Sequence, residues 1–205
     1  MLTKLKQKVQ ETLKTEARAA HRIGLTPNRI SGLGIVFALL AALAYVRWQA
    51  GSFYLPIAIL LLLLSGFCDA LDGIVARLYQ QTTAFGGFLD SLLDRYADAA
   101  IYVAIIISGL CWLLPGLVAL TGSLLVSYSR ARAEAADVRM ESVGMAERAE
   151  RMVILVAASL IAIFWQPETV INAAVILLAV LTNLTVTQRG LYVYGKLKKK
   201  KLTEI

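Results

Sequence analysis

Six long apolar stretches, separated by short polar segments, constrain what this chain can fold into more than any other feature. A helix needs about 20 mostly apolar residues to cross a bilayer. Of the residues in the chain, 58% are hydrophobic and only 17% are charged, which is typical of a membrane protein. The stretches cover residues 30–46, 53–76, 88–108, 115–129, 152–165 and 170–191. We therefore expect an all-α integral membrane protein with six transmembrane helices, the fifth of which extends into residues 146–151.

The cations of the chain fall on one side of these predicted spans. They precede the first span, lie between the fourth and the fifth, and follow the sixth, whereas the opposite connections contain only Arg47. Under the positive-inside rule, this distribution places both termini, the 77–87 loop and the 130–151 loop in the cytoplasm. Topology and contact with anionic head groups then account for the net charge of +7, so we expect no binding to nucleic acid. Residues 1–25 contain no apolar h-region, so we expect no cleavable signal peptide.

The N-terminal segment 2–20 has apolar side chains at spacings of three and four, with Lys and Glu between them. These positions are Leu2, Leu5, Val9, Leu13, Ala17 and Ala20. The pattern is typical of an amphipathic helix that lies along the membrane surface. We therefore expect a single membrane domain over residues 1–205. It comprises a juxtamembrane amphipathic helix at 1–25, a six-span core at 26–195 and a basic cytoplasmic tail at 196–205.

Five aspartates interrupt the second and third spans: Asp69, Asp72, Asp90, Asp94 and Asp98. An intramembrane carboxylate costs about 2.5–3.5 kcal/mol on insertion scales, so something must compensate for each of them. On a helix, Asp69 and Asp72 share one face, and the other three form a stripe at intervals of four residues. The short loop at 78–85 makes the two helices antiparallel neighbours. The two acidic faces can therefore meet near the cytoplasmic end of the spans.

Carboxylates that converge in a low-dielectric pocket need protons or cations among them. Oxygen ligands without His or Cys favour Mg²⁺, Mn²⁺ or Ca²⁺, and two such ions about 3.5–4 Å apart are a common device for phosphoryl transfer. The small residues Gly73, Ala76, Gly86 and Gly87 leave room for a nucleotide beside the helix backbones.

Two other interpretations of the acidic stripes remain. In a structural ion-pair network, Arg77 and Arg95 would neutralise only two of the five carboxylates. In a cation transporter, intramembrane acids would mark an ion pathway. A transporter is expected to place its acids near the bilayer midplane, whereas these lie near the cytoplasmic ends of consecutive spans.

The acidic residues also form a gapped motif. The pattern Asp69-x-x-Asp72-Gly73-x-x-Ala76-Arg77, followed after eight residues by Gly86-x-x-x-Asp90-x-x-x-Asp94, resembles the signature of the CDP-alcohol phosphotransferases. The segment "LTPNRIS" before the first span resembles the Pro-Asn segment of the same family. This resemblance implies a metal-dependent transferase of phospholipid biosynthesis, which uses two divalent ions, Mg²⁺ or Mn²⁺. It transfers a lipid phosphate group from a CDP-linked lipid to an alcohol and releases CMP. The resemblance also implies a homodimer.

The resemblance assigns roles residue by residue. The metal ligands would be Asp69, Asp72, Asp90 and Asp94, and Asp94 would also be the general base that takes the proton from the acceptor hydroxyl. The positions that match the nucleotide-binding residues of the family are Asn28, Arg29, Ile30, Ser31, Gly73, Ala76, Arg77, Thr83 and Gly86. For Thr83, a role as a loop-capping hydroxyl is an equal alternative.

Four arginines late in the chain indicate the acceptor. The segments "SYSRARAEA", "AERAER" and "TQRG" resemble the inositol-phosphate-using branch of the family. They supply Arg130, Arg148, Arg151 and Arg189 as ligands for a phosphate on the acceptor. The alternative is ordinary positive-inside charge, with Glu147 and Arg151 as a helical pair, but Arg189 lies in an apolar segment. We expect inositol 1-phosphate as the acceptor, with glycerol 3-phosphate as the alternative. Both a diacylglycerol and an archaeol lipid remain open.

Overall fold

The computed structural model describes residues 13–140 and 143–203, and over these ranges the chain forms helices and no strand. The predicted all-α fold is therefore confirmed. The helices are α1 (Lys14–Arg22), α2 (Pro27–Val46), α3 (Tyr54–Leu78), α4 (Ala84–Ile107), α5 (Leu113–Glu134), α6 (Arg148–Ala162) and α7 (Pro167–Thr203), and a 3₁₀ turn, Trp48–Ala50, follows α2.

A helix lies at each of the six predicted spans, but only four of those described meet a span's length and composition. Helices α2, α3, α5 and α7 are apolar enough to cross a membrane, with mean hydropathies between 1.2 and 2.1 over their most apolar windows. Helix α4 has 24 residues and carries the charged stripe, and α6 has only 15 residues, or about 22 Å of rise. The chain is therefore a multi-pass membrane protein, and the count of six spans stays a prediction.

Helix α1 covers the C-terminal part of the predicted amphipathic segment, whose residues 1–12 lie outside the described chain. Ala17 and Ala20 are buried against α3 near Ile74 and Val75, whereas the charged side chains of α1 face outward. The ring of His21 stacks on Tyr79 at 3.5 Å between centroids. Helix α1 is thus attached to the end of α3 next to the acidic residues, and its position along a membrane surface stays a prediction.

Helix α2 is the element that brings the two acidic helices together. It packs along both α3 and α4, and buried alanines such as Ala38, Ala41 and Ala58 allow the backbones to approach closely. On the other side of the bundle, α7 packs against α5 and α6, and α6 packs against α3. The sequence predicted direct neighbours from the short α3–α4 loop. In the structure, α2 is the main contact of both helices, because its small side chains fit between them.

Candidate active site

Four aspartates from α3 and α4 converge beside the N-terminal turns of α2. One carboxylate oxygen from each of Asp69, Asp90 and Asp94 lies within 4.8 Å of the others. Asp72 is buried, and its Oδ2 accepts a 2.6 Å hydrogen bond from Ser31 Oγ. All four aspartates line one small cavity together with Ser31. The structure therefore brings together the two acidic faces that helical spacing placed opposite each other.

The donor set of this aspartate cluster fits a hard divalent cation. The three closest carboxylates offer oxygen atoms only, at separations that one ion can bridge, and Mg²⁺ and Mn²⁺ prefer such ligands. Asp72 stands directly beside them in the same cavity. Asp69, Asp90 and Asp94 could therefore hold one ion, and the role of Asp72 as a further ligand stays a prediction.

Two arginines at the start of α6 contact the acidic stripe: Arg148 contacts the cluster, and Arg151 contacts Asp98 beside it. Arg148 Nη1 lies 2.7 Å from Asp69 Oδ1 and 2.6 Å from Asp94 Oδ1, and Arg148 Nε lies 3.6 Å from Asp98 Oδ1. Arg151 is 3% exposed, and its Nη2 lies 2.5 Å from Asp98 Oδ2. Positive charge from a distant part of the sequence thus balances part of the acidic stripe.

The sequence suggested Arg77 and Arg95 as counter-ions of the stripe, whereas Arg148 and Arg151 contact it in the structure. Arg95 Nη1 lies 4.0 Å from Asp94 Oδ2 and donates to the Ser91 carbonyl of its own helix. The guanidinium of Arg77 lies against Gly73. The sequence placed Asp98 on the acidic stripe but gave it no role. Asp98 continues the four-residue spacing beyond the motif, and that spacing is the signal that could have identified it as a partner of the arginines.

A cavity of about 270 Å³ opens on one side of the aspartate cluster, between the N-terminal ends of α2 and α4. We call it the α2–α4 cavity. Most of the predicted nucleotide-binding residues line it: Asn28, Ser31, Gly73, Ala76, Arg77, Thr83 and Gly86. Asp72 and Asp90 line it from the cluster side. Gln81 and Thr82, which were not among the predicted residues, line it as well.

Two residues predicted for nucleotide binding point elsewhere. The side chain of Ile30 is 1% exposed and packs with Cys68 and Val75. Arg29 is exposed, and its Nη1 donates to the Gly24 carbonyl at 3.2 Å. Neither side chain belongs to the wall of the α2–α4 cavity.

The start of α4 is built for close approach to α2. Thr83 Oγ1 accepts a 2.9 Å hydrogen bond from the Gly86 backbone N–H, so this residue has the predicted alternative role of capping α4. Thr83 also lines the α2–α4 cavity. A Cβ at Gly86 would lie 2.9 Å from Thr83 Oγ1 and 3.2 Å from Asn28 Oδ1. Glycine at this position therefore lets two helix N-termini open into one cavity, and helix N-termini attract anions.

A second cavity, of about 260 Å³, opens on the other side of the cluster, and we call it the arginine cavity. All four arginines predicted to bind the acceptor phosphate line it: Arg130, Arg148, Arg151 and Arg189. Asp69 and Asp94 line it from the cluster side. The aspartate cluster therefore lies between two cavities. Asp72 and Asp90 line the first, and Asp69 and Asp94 line the second.

The four arginines differ in how they are held. Arg130 is exposed and pairs with Glu134 at 2.9 Å. Arg189 is 1% exposed; its Nε donates to the Val143 carbonyl at 2.8 Å and its Nη1 to the Val126 carbonyl at 2.5 Å. Glu147, considered above as a partner of Arg151, lies 3.7 Å from Arg189 Nη2.

Two relatives with the same name match most of this chain. Archaetidylinositol phosphate synthase from Methanothermobacter thermautotrophicus is 45% identical over 179 residues, which cover 87% of this chain and 88% of that protein. The protein of the same name from Pyrococcus horikoshii is 38% identical over 192 residues, which cover 92% and 94% of the two chains.

Solved structures and a family model agree with these relatives. Mycobacterium tuberculosis phosphatidylinositol phosphate synthase with CDP-DAG bound has a TM-score of 0.74 and 29% identity, with 88% of this chain and 92% of that chain covered. The same synthase in complex with manganese and citrate has a TM-score of 0.75 and 29% identity, with 88% of each chain covered. The model of the CDP-alcohol phosphatidyltransferase family matches residues 24–186, a range that contains the whole aspartate motif and both helices that carry it. The resemblance in the motif is thus confirmed along most of the sequence, and the chain belongs to the CDP-alcohol phosphatidyltransferase family.

Proposed function

We propose that this protein transfers the lipid phosphate group of a CDP-linked lipid to inositol 1-phosphate and releases CMP. The observation that carries the proposal is the position of the four aspartates between two cavities that each suit a phosphate group. One cavity offers helix N-termini and Arg77, and the other offers four arginines. Relatives named archaetidylinositol phosphate synthase, at 45% and 38% identity, support this acceptor.

In this proposal the α2–α4 cavity holds the nucleotide end of the CDP-lipid. Asn28 and Ser31 at the start of α2, and Thr83 at the start of α4, present polar groups beside the positive ends of two helix dipoles. Arg77, whose guanidinium lies against Gly73, adds a full positive charge for the pyrophosphate. The M. tuberculosis synthase solved with CDP-DAG bound supports the choice of donor.

The acceptor hydroxyl attacks from the arginine cavity. Asp94 lines that cavity, and its carboxylate takes the hydroxyl proton while the new oxygen–phosphorus bond forms and the bond to CMP breaks. Asp69, Asp72, Asp90 and Asp94 would hold the divalent ions, Mg²⁺ or Mn²⁺, which would supply positive charge to neutralise the phosphates. The acceptor phosphate lies among the four arginines, because hydrogen bonds from a guanidinium to a phosphate are stronger than bonds between neutral groups.

We also propose that six helices cross the membrane, with both termini and the aspartate cluster on the cytoplasmic side. The charged residues of α4 that interrupt its apolar sequence line the two cavities. Its outward residues are large and apolar and include Phe88, Tyr96, Val103 and Ile107. This division supports a spanning position for α4, because its outer surface suits lipid. Cysteine labelling from either side of sealed vesicles would test the orientation.

A homodimer, each protomer with its own site, remains part of the proposal. It rests on the family resemblance. The mass of the purified protein in detergent micelles, measured by light scattering with the detergent subtracted, would decide between one and two copies.

The activity is tested with purified protein in nanodiscs, a CDP-linked diacylglycerol or archaeol, Mg²⁺ and a panel of acceptors. We expect CMP release with inositol 1-phosphate, less with glycerol 3-phosphate, and little with inositol itself, which would leave the arginines without a phosphate partner. A clear preference for glycerol 3-phosphate would contradict the inositol assignment and leave the general transferase activity. Cation flux in liposomes, combined with no CMP release from any acceptor, would favour the transporter alternative.

A further inference from the structure

The segment that joins α5 to α6 ends directly at the arginines of the acceptor site. Residue 148 begins α6, and the residue before it, Glu147, forms no side-chain capping bond to that helix. The residues just before α6 are instead held by contacts with α7.

We propose that Thr185 is a positioning residue that fixes the start of α6 and thereby places two of the arginines that bind the acceptor phosphate, Arg148 and Arg151; this inference rests on the proposed function. Thr185 is fully buried in α7. Its Oγ1 accepts hydrogen bonds from the backbone N–H groups of Met145 and Ala146, both at 3.2 Å, and donates to the Leu181 carbonyl at 2.8 Å. A hydroxyl has one proton and two lone pairs, so these three bonds use its whole capacity.

The neighbouring contacts hold the same segment against α7. Gly144 has a φ of +113°, and a Cβ there would lie 2.3 Å from Thr185 Cγ2. This position therefore needs glycine both for its backbone conformation and for space. One turn further along α7, Arg189 Nε donates to the Val143 carbonyl at 2.8 Å. Two residues at helical spacing on α7 thus bind consecutive parts of residues 143–146.

A chain of contacts carries this anchor into the active site. The N–H of Ala146 is bound by Thr185, and the carbonyl of Ala146 accepts a 2.9 Å bond from Arg151 Nη1. Arg151 Nη2 then reaches Asp98 on α4. Because Arg148 lies one turn before Arg151 on α6, a shift of Ala146 would move both guanidinium groups in the arginine cavity.

Thr182 is a matched control on the same helix. It is also fully buried, but within the described residues its hydroxyl bonds to the Leu178 and Ala179 carbonyls of its own helix, at 2.8 and 3.3 Å. Thr182→Val and Thr185→Val each replace a hydroxyl with a methyl group in a buried part of α7. Only Thr185→Val leaves two loop N–H groups without their acceptor, which is the costly kind of change.

Steady-state CMP release separates this positioning role from a general effect on folding. We expect Thr185→Val to raise the KM for inositol 1-phosphate by roughly tenfold or more, because displaced Arg148 and Arg151 would lose hydrogen bonds to the acceptor phosphate, with the KM for CDP-lipid unchanged. Thr185→Ser should restore the wild-type KM, and Thr182→Val should retain it. Gly144→Ala, which disturbs the same contact from the loop side, should raise the acceptor KM in the same selective way.

Amide hydrogen exchange supplies a second readout that does not depend on activity. Exchange at residues 145 and 146 should be faster in Thr185→Val than in the wild type and unchanged in Thr182→Val. Equal behaviour of the two Val variants in both measurements would overturn the inference, as would equal increases in both KM values for Thr185→Val and Gly144→Ala. If the wild type released no CMP with inositol 1-phosphate, the proposed function would fail, while the exchange result would still decide whether Thr185 anchors the segment.

Discussion

Arg148 Nη1 lies 2.6 Å from Asp94 Oδ1, so the first residue of α6 is in direct contact with the carboxylate proposed as the general base on α4. The same nitrogen also lies 2.7 Å from Asp69 on α3. A single guanidinium therefore joins three helices and lines both the aspartate cluster and the arginine cavity. Changes at Arg148 are expected to affect acceptor binding more than donor binding, because the α2–α4 cavity lies on the other side of the carboxylates.

Replacement of Arg148 with Ala should raise the KM for inositol 1-phosphate by about ten- to a hundredfold, since hydrogen bonds to charged groups contribute about 1.5–3 kcal/mol. The KM for CDP-lipid should change little. The matched control is Arg132→Ala, an exposed arginine of α5 outside the cavity wall. Initial rates of CMP release at varied concentrations of each substrate provide the measurement. Equal weakening of both substrates would contradict a specific role in acceptor binding.

Asp94→Asn should lower the rate of CMP release by about 10²–10⁴-fold, the usual contribution of general-base catalysis, while Mn²⁺ and CDP-lipid still bind. Asp69→Asn should instead weaken the binding of both, because Asp69 is expected to act only as a metal ligand. Isothermal titration with Mn²⁺ and with CDP-lipid distinguishes the two variants. A similar loss of Mn²⁺ binding in both would make Asp94 a ligand without a separate role as a base.

Removal of divalent ions should stop the reaction. With EDTA in excess, we expect no CMP release, because the crowded carboxylates and the substrate phosphates would then repel each other without compensating charge. Addition of Mg²⁺ or Mn²⁺ beyond the chelator should restore the rate in the same sample. Undiminished turnover in EDTA, after dialysis against the chelator, would rule out a metal-dependent mechanism.

Gly86→Ala should raise the KM for CDP-lipid while the KM for the acceptor stays constant. The new Cβ would lie 2.9 Å from Thr83 Oγ1 and 3.2 Å from Asn28 Oδ1, so it would push apart two side chains that line the α2–α4 cavity. Gly32→Ala in α2 is the control, because a Cβ there meets no atom within 4 Å. If both variants bound CDP-lipid as the wild type does, the close approach of α2 and α4 would have no role in donor binding.

The sequence predicted those parts of the site that depend on local spacing. Helical periodicity fixes the positions of Asp90 and Asp94 relative to each other, and the short loop after α3 limits where Asp69 can lie. The same periodicity explains why two predicted residues are not in the cavity wall. Asn28 and Ser31 are three residues apart and share a face of α2, whereas the side chains of Arg29 and Ile30, between them, point in other directions.

The parts that sequence spacing did not predict depend on tertiary packing. Nothing local to Arg148 indicates that α6 packs against α3 and delivers its guanidinium to Asp69, 79 positions away along the chain. Asp98 similarly acquires its partners only when α6 is in place. The number of spans also does not follow from apolar length alone, because α4 carries half-buried charges that line the two cavities and α6 has only 15 residues.

The position of the aspartate cluster between two separate cavities also has a stereochemical consequence. In the proposed reaction, the nucleotide and the acceptor would each have their own cavity, so both substrates would be bound at the same time and would approach the phosphorus from different sides. Direct transfer would then need no covalent lipid–enzyme intermediate, and a single in-line displacement would invert the configuration at phosphorus. The lining of one cavity by Asp72 and Asp90 and of the other by Asp69 and Asp94 favours this outcome.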